Sequence, residues 1–321
     1  MLKKPSFPID PLAGADHRDP ISDVLALVEP RAHFSTSLST GGDWAIDFPG
    51  NEGLTFCALV RGRCWLAAEA ATPIRLNEGD CFLITKETPY RLASDLELQS
   101  TDAWALYAGI TNGRAAYHPT NTAGLDATLL GGRFSFDKKQ TSVLLGLLPP
   151  VVMISSSSKE AAAIAGIAED LTDELSNVFP GAALMIDLLA HKLLVHVLRA
   201  YLTSGEKLPV GWLGALAEPR VRRTLESMHR SPDYRWSLEV LARDAGMSRS
   251  AFSALFKRRV GVAPLDYLLR WRMQLATKML RAKNQPIGLI AFALGYGSES
   301  AFGNAFKRIM GKAPGQFQRE A

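Results

Sequence analysis

The stretch Ile290-Ala291-Phe292-Ala293-Leu294-Gly295-Tyr296-Gly297-Ser298-Glu299-Ser300-Ala301-Phe302-Gly303-Asn304-Ala305-Phe306-Lys307-Arg308 decides how the chain is read, because it occurs twice. Fifty residues upstream, Ala251-Phe252-Ser253-Ala254-Leu255-Phe256-Lys257-Arg258 repeats the pattern of Ala301 to Arg308. Gly261 then matches Gly311, and Ala263-Pro264 matches Ala313-Pro314. Leu241-Ala242 and Gly246 match Ile290-Ala291 and Gly295 at an offset of forty-nine, so one extra residue sits in the second copy's turn, at Tyr296-Gly297. A solenoid needs about three or more units to bury a continuous core. Two copies describe instead a pseudo-twofold module with two equivalent binding elements.

Each copy encodes two short helices joined by a tight turn. In the first, Ser237 caps a helix carrying Leu238, Leu241 and Ala242, and Ala245-Gly246-Met247 breaks it. Ser248 caps the next helix, which turns Phe252, Leu255 and Phe256 inward. In the second, Ile287, Ile290 and Ala291 pack the first helix, and Ser298 caps the next, with Phe302 and Phe306 inward. The small Ala242 lets the helices cross closely, as in a helix-turn-helix. Arg249, Ser250, Ser253, Ala254 and Lys257 avoid the apolar stripe of one second helix; Glu299, Ser300, Gly303, Asn304 and Lys307 avoid that of the other. Side chains near such a helix's N-terminus meet base edges in a DNA major groove. Lys257, Arg258 and Arg259 would hold phosphates, as would Lys307 and Arg308. The candidate DNA contacts are therefore Ser248, Arg249, Ser250, Ser253, Lys257 and Arg258 in one copy and Ser298, Glu299, Ser300, Asn304, Lys307 and Arg308 in the other. Between the copies, Leu265 to Ala282 places Leu268, Trp271, Leu275 and Met279 on one face of a connecting helix. It spans roughly 27 Å at ~1.5 Å per residue, enough to hold two recognition helices about one DNA turn, ~34 Å, apart.

Working outward, the charge agrees. Pro219 to Ala321 holds 19 Lys+Arg against 7 Asp+Glu, a net +12, while Met1 to Glu218 holds 17 against 25, a net −8. An acidic body carrying a basic module points to a polyanionic partner, double-stranded DNA. The chain has 321 residues, 47% of them apolar and 21% charged, which fits two or three globular domains and excludes a largely disordered chain. The longest apolar run, Val143 to Ile154, is short of the ~20 residues of a bilayer span. No apolar segment follows Lys3 and Lys4, so neither a membrane helix nor a signal peptide is expected. Three cysteines make no disulfide scaffold, and a reducing cytoplasm is expected.

The N-terminal half reads as short strands separated by turns. Asp19-Pro20-Ile21-Ser22-Asp23 starts a helix that Glu29-Pro30 stops. Thr55 to Val60 and Arg63 to Ala67 flank Arg61-Gly62 as a hairpin; Asn77-Glu78-Gly79-Asp80 turns into a strand over Cys81 to Thr85; Trp104 to Gly109 reads as another strand. Such spacing predicts an antiparallel barrel or jelly roll. Two helices follow, one with Ile164, Ile167, Leu171 and Leu175 on a stripe, the other with Leu184, Leu188, His191, Val195, Leu198 and Leu202. Ser204 to Pro209 reads as a hinge. The expected division is 1–155, a sensor barrel; 156–208, a helical connector or dimerisation region; and 209–321, the basic module. The fold class is α+β.

The C-terminal residues, above all Ile290 to Pro314 and Trp271-Arg272-Met273-Gln274-Leu275-Ala276, resemble the DNA-binding domain of AraC/XylS-type transcription regulators. The N-terminal half resembles the cupin-type sensor of one AraC subgroup, on Asp19 to Pro30, Gly41-Gly42-Asp43-Trp44, Val60 to Leu66, Gly79-Asp80 with Pro89, and Gly131-Gly132-Arg133-Phe134. The resemblance implies a cupin-like antiparallel β-barrel that senses a signal, a homodimer, and recruitment or exclusion of RNA polymerase at a promoter. Two departures stand out. Ala254 and Gly303 occupy helix faces where the family often has larger polar side chains, and Tyr90 stands where many cupins have histidine.

A metal enzyme needs about three clustered ligands with an open position. The barrel region offers only His33 and His118, near its ends, so neither a metal, nor another cofactor, nor catalysis is expected. A small-molecule effector could occupy the barrel, with Trp44, Phe56, Trp65, Tyr90 and Trp104 as candidate lining residues, or these could be plain core. Cys57, Cys64 and Cys81 allow a thiol-redox switch, Arg61, Arg63 and Arg75 being near in sequence; buried apolar filler is the alternative. In a two-residue hairpin Cys57 and Cys64 would be diagonal neighbours ~7–8 Å apart, too far for a ready disulfide.

Overall fold

The structure, a computed structural model, describes residues 19–69, 71–85, 87–107, 114–117, 126–136, 148–177, 179–204, 208 and 210–320. His118 and most of the expected hinge, residues 205–207 and 209, lie outside these.

Helix α1 (Pro20–Val28) starts where Asp19 Oδ1 accepts the backbone N–H groups of Ile21 and Ser22, at 3.0 and 3.1 Å. The strands that follow form two sheets. The six-stranded sheet has the order β11 (Val151–Ile154), β6 (Cys81–Ile84), β3 (Leu54–Arg61), β10 (Ala127–Ser135), β1 (Arg31–Thr40), β9 (Arg114–Tyr117). The five-stranded sheet has the order β5 (Ala71–Asn77), β4 (Arg63–Ala68), β7 (Tyr90–Ala93), β2 (Ala45–Phe48), β8 (Thr101–Asp102). All pairings are antiparallel except β1–β9 and β2–β8. Both sheets contribute to one core that includes Leu38, Ile46, Leu59, Leu66, Phe82, Leu92 and Leu129. The cupin-like barrel is thus, among the described residues, a two-layer sandwich whose sheets do not close on themselves.

The two sheets carry different sequence patterns for a physical reason. β3 is buried along Phe56 to Leu59 without alternation, and every residue of β6 is buried. Helices α3 (Ala161–Ser176) and α4 (Ala182–Thr203) pack on this sheet, against β1, β3 and β11, so both faces of its central strands β3 and β6 are largely buried. β4 alternates, with Cys64 and Leu66 buried between more exposed neighbours, as a strand with one solvated face should.

Three sequence expectations are corrected. Arg61-Gly62 is not a hairpin: β3 pairs with β6 and β10, β4 with β5 and β7, and the chain passes from one sheet to the other at Gly62. Gly62 has φ +87°, and a Cβ there would lie 1.9 Å from the Asp126 carbonyl oxygen. Trp104 lies not in a strand but in a short helix, α2 (Ala103–Tyr107), where Asp102 Oδ1 accepts the Trp104 N–H at 2.7 Å. On α4 the buried face is Leu189, Leu193, Leu194, Val197, Leu198 and Tyr201, whereas Leu184 and Leu188 are 66% and 57% exposed. Ile164, Ile167 and Leu171 of α3 are buried as the spacing predicted.

After the short α5 (Trp212–Ala215) the chain is helical: α6 (Pro219–Arg230), α7 (Leu238–Asp244), α8 (Arg249–Val260), α9 (Pro264–Ala282), α10 (Ile287–Ala293), α11 (Glu299–Met310) and α12 (Pro314–Glu320). Packing draws two units that do not follow chain order. Residues up to Leu27 cluster with Glu218–Ala321, and Val28–Ala217 make up the other unit. Helix α1 therefore packs with the helical module, and α3 and α4 with the sheets.

Candidate nucleic-acid interface

The two copies share the hydrogen bonding of their turns and second helices, whereas the first helix is capped by a side chain only in the first copy, α10 starting at Pro286 without one. Ser237, Ser248 and Ser298 each cap a helix, accepting from Val240, Ala251 and Ala301 at 3.2, 3.4 and 3.2 Å. The turns close alike, with Met247 N–H on the Ala242 carbonyl at 2.9 Å and Tyr296 N–H on the Ala291 carbonyl at 3.0 Å. Ala242 and Ala291 are buried between their helices. Phe252 and Phe256 pack in a tilted arrangement with ring centroids 5.6 Å apart in one copy, as do Phe302 and Phe306 at 5.7 Å in the other. Both second helices end on a left-handed glycine, Gly261 and Gly311, whose N–H reaches the carbonyl of Lys257 or Lys307 at 2.9 Å. The inserted residue is Gly297, between the closed turn and the Ser298 cap.

Between the copies, α9 serves both. Leu268 and Trp271 are buried, while Met273, Ala276 and Leu280 join Ile290, Ala291, Phe302 and Phe306 in the second core. Leu275 and Met279 also pack against that core but are only partly buried. Arg272 is drawn inward: its Nε donates to the Pro232 carbonyl at 2.6 Å, and its guanidinium lies over the Tyr296 ring at 5.7 Å. Burial holds it below the usual guanidinium range. This basic side chain braces the fold rather than adding to an outer surface.

The outer faces of α8 and α11 are polar and charged. Ser248, Arg249, Ser250, Lys257 and Arg258 are exposed, with Ser253 partly so; Ser298, Glu299, Ser300, Asn304, Lys307 and Arg308 are exposed. None of the ion pairs among the described residues uses Arg249, Lys257, Arg258, Glu299, Lys307 or Arg308. Arg259 differs, pairing with Glu218 at 3.6 Å. A cation without a protein partner on an exposed helix suits a phosphate.

A cupin family model matches residues 19–203, more than half the chain, and a helix-turn-helix domain model matches residues 241–320. A Streptomyces antibioticus protein named as an AraC-like transcription regulator is 40% identical over 302 residues, covering 94% of this chain and 98% of that one. A Streptomyces lividans protein named likewise is 39% identical over the same length and shares. The HTH-type transcriptional regulator AlkR of Acinetobacter baylyi is 27% identical over 308 residues, covering 93% of this chain and all of that one. The chain belongs to the AraC-like transcription regulators. It joins a cupin domain to an AraC-type DNA-binding domain, as the sequence resemblance implied.

In this regulator the candidate sensor residues are scattered. Trp44 and Phe56 are fully packed core, Trp65 is partly exposed beneath the Arg75 guanidinium at 5.7 Å, and Trp104 is 67% exposed. Tyr90 lines a cleft of about 520 Å³ together with Phe48, Pro49, Ala68, Pro73 and Pro89. Tyr90 and Phe48 stack at 4.8 Å. Asp47 and Arg91 form a bidentate pair at 2.7 and 2.9 Å beside them, and Ser100 Oγ donates to the same carboxylate at 2.5 Å. The Arg91 hydrogen bond holds the Asp47 carboxyl below the usual carboxylate range. Sequence reading missed Phe48, Asp47 and Arg91; the charged pair facing across β2 and β7 forms only once the register is set.

The redox reading loses its basis here. Cys57, Cys64 and Cys81 are free and buried. Burial pushes the Cys64 and Cys81 thiols up to about 12 and Cys57 up as well, its two fellow cysteines adding to the effect. Thiols held protonated away from solvent act as small apolar side chains. His33 bonds Ser135 Oγ at 2.9 Å, and among the described residues no group of three or more His, Cys, Asp or Glu side chains could hold a metal ion.

A buried polar network, absent from the sequence reading, ties α1 into the helical module. The His229 side chain, wholly buried, meets Asp23 Oδ2 through Nδ1 at 3.1 Å and the Tyr267 hydroxyl through Nε2 at 2.7 Å. Its ring stacks on Trp271 at 4.0 Å. Burial pushes the imidazole below its usual range against the pull of Asp23, and burial pushes the Tyr267 hydroxyl up. Neutral His229 therefore carries its proton on Nδ1, donating to Asp23, and accepts from Tyr267 on Nε2. Lys278 Nζ adds a bond to the Ala26 carbonyl at 2.6 Å.

Proposed function

We propose that this regulator binds a specific double-stranded DNA site with both recognition helices at once. Arg249, Ser250 and Ser253 of α8 and Glu299, Ser300 and Asn304 of α11 face base edges; Ser248, Ser298, Lys257, Arg258, Lys307 and Arg308 engage the phosphates. The observation that carries the reading is the duplication itself: two helix-turn-helix elements with matched caps and turns, and unpaired polar faces, in a module of net +12. A non-specific architectural binder would use the same charge but would need no second reading helix.

Further elements complete the proposal. The protein acts in the cytoplasm; among the described residues no helix is long and apolar enough to cross a membrane. It is a regulator without enzymatic activity, in keeping with the names of its relatives. A small-molecule effector binds the cupin domain, and the cleft beside Tyr90 is the favoured seat. The chain forms a homodimer through the apolar face that α4 leaves exposed at Leu184, Met185 and Leu188, and bound at a promoter it recruits or excludes RNA polymerase. The effector alters dimer geometry or the way residues 204–209 hold the DNA-binding module.

The test is binding to DNA from the gene's own upstream region against scrambled competitor at ~150 mM salt, repeated with Arg249→Ala and Asn304→Ala. A specificity ratio of ~10³ or more is expected for the wild type, with both variants losing preference. Unchanged binding and sequence preference in both would remove α8 and α11 from the interface.

A further inference from the structure

Aligning the two copies by their shared caps and cores makes one difference between their outer faces stand out. Arg249 and Glu299 occupy the same place, the first residue after the capping serine, fifty residues apart. The helix there is built alike in both copies, with a serine cap closed on the third residue, a buried phenylalanine at the fourth position and a left-handed glycine at the end, although the cap enters at φ −67° in Ser248 and −156° in Ser298. The same position on the same scaffold thus presents an obligate donor in one helix and an acceptor in the other. A guanidinium has five N–H donors and no acceptor, and an ionised carboxylate is acceptor-only.

Helix stability explains only half of the inversion, since it favours Glu299 and opposes Arg249. A carboxylate near a helix N-terminus is favoured, and a cation disfavoured, each by about 0.3–1 kcal/mol. Arg249 sits there regardless, so the fold tolerates either sign. Glu299 is exposed and takes no part in the ion pairs among the described residues; its Oε2 lies over Gly288 in the first turn of α10, where the helix dipole favours a carboxylate without giving it a charged partner. On a surface built to approach phosphates, a lone carboxylate lowers affinity for every DNA sequence unless it meets a donor. In the major groove, guanine offers acceptors at N7 and O6, while the cytosine N4 amino group is a donor.

Resting on the DNA-binding reading above, we propose that Arg249 reads a guanine in one half-site and Glu299 reads a cytosine at the corresponding position of the other. The two half-sites then carry a base pair of the same composition in opposite orientation. The target is therefore neither a perfect direct repeat nor recognised equally when its halves are exchanged. Asn304 on the same face of α11 suits an adenine through N6 and N7, where the matching Ala254 can offer only an apolar contact, so the second half-site differs at a further base pair.

The experiment selects binding sites from random duplexes with the full-length wild type, Glu299→Ala, Glu299→Arg and Arg249→Glu, then titrates the selected site with all four bases at each assigned position. The wild type should select guanine in one half and cytosine in the other. Glu299→Ala should flatten the preference at that one base pair, losing roughly 5- to 100-fold discrimination there, and leave the Arg249 and Asn304 positions unchanged. Glu299→Arg should switch the preferred base from cytosine to guanine, and Arg249→Glu should do the reverse in the other half. Both substituted positions are exposed, and each places on one helix a residue the other already carries, so folding is preserved. The assignment is overturned if Glu299→Ala strengthens binding equally for every sequence, scrambled DNA included, because the carboxylate is then only a charge penalty. An enriched site indifferent to all three variants also overturns it while leaving DNA recognition standing. No enriched site for the wild type overturns DNA recognition and this assignment together.

Discussion

Removing the Asp23 carboxylate tests whether the N-terminal helix belongs to the DNA-binding unit. In Asp23→Ala the His229 Nδ1–H, wholly buried and 3.1 Å from its acceptor, is left without a partner. An unsatisfied buried donor costs about 1–3 kcal/mol. Alanine's better helix propensity returns less than ~0.7 kcal/mol to α1. The net loss is about 2 kcal/mol. For a unit of roughly 100 residues this lowers the melting temperature by about 10 °C. The sharper readout is native-state hydrogen exchange of the amides in α6 and α9, which carry His229 and Tyr267. Two kcal/mol there speeds exchange by roughly 30-fold, while amides of the β-sandwich keep their protection. The double variant Asp23→Ala/His229→Phe should cost less than the sum of its parts, since it leaves no orphaned imidazole N–H, keeps a ring against Trp271, and loses the acceptor of the Tyr267 hydroxyl only once, as the His229→Phe single variant already does. Unchanged exchange in α6 and α9, or strict additivity, would refute the reasoning.

Acid should weaken the same unit. The imidazole of His229 is held below its unfolded value, so as pH falls through ~6.5 the unfolded chain binds a proton that the folded one refuses. Stability is complete above that pH and falls by up to about 1.4 kcal/mol per unit below it; urea titrations from pH 7.5 to 5.5 should show the slope, and His229→Gln should lack it. The cysteines should be inert in the native state: with thiols near 12, roughly one in ten thousand is ionised at pH 8, so iodoacetamide should label the three only after denaturation. Gly62→Ala should destabilise the sandwich by at least about 2 kcal/mol, because it combines a φ of +87° with a Cβ 1.9 Å from the Asp126 oxygen; Gly131→Ala, where no atom lies within 4 Å of the added Cβ, should be near neutral in the same melt.

The helical module was legible because its information is local and duplicated. Cap, turn and phenylalanine spacing each recur in register, and the helices Arg249–Val260 and Glu299–Met310 begin where Ser248 and Ser298 place them. The sandwich was less legible. A glycine with positive φ serves a hairpin and a crossover between sheets equally well, and only the pairing of β3 with β6 and β10 decides which Gly62 makes. In α4 the run Ala182-Ala183-Leu184-Met185-Ile186-Asp187-Leu188-Leu189-Ala190 is apolar almost all round, so spacing alone left the buried phase open. Trp104 read as a strand because its helix is only five residues long and its start depends on Asp102. The cleft and the Asp23–His229 bond join residues far apart in sequence; for the latter the separation is 206 residues. No periodicity carries such a pairing.

The central claim is that this regulator recognises DNA sequence through two non-identical helices. Selection from random duplexes at ~150 mM salt tests it most directly. Reading by two non-identical helices should give one enriched bipartite site, its halves about one helical turn apart and different in sequence, bound ~10³-fold or more above scrambled DNA. Equal binding of all duplexes with a steep salt dependence, or a site of a single half, would contradict it.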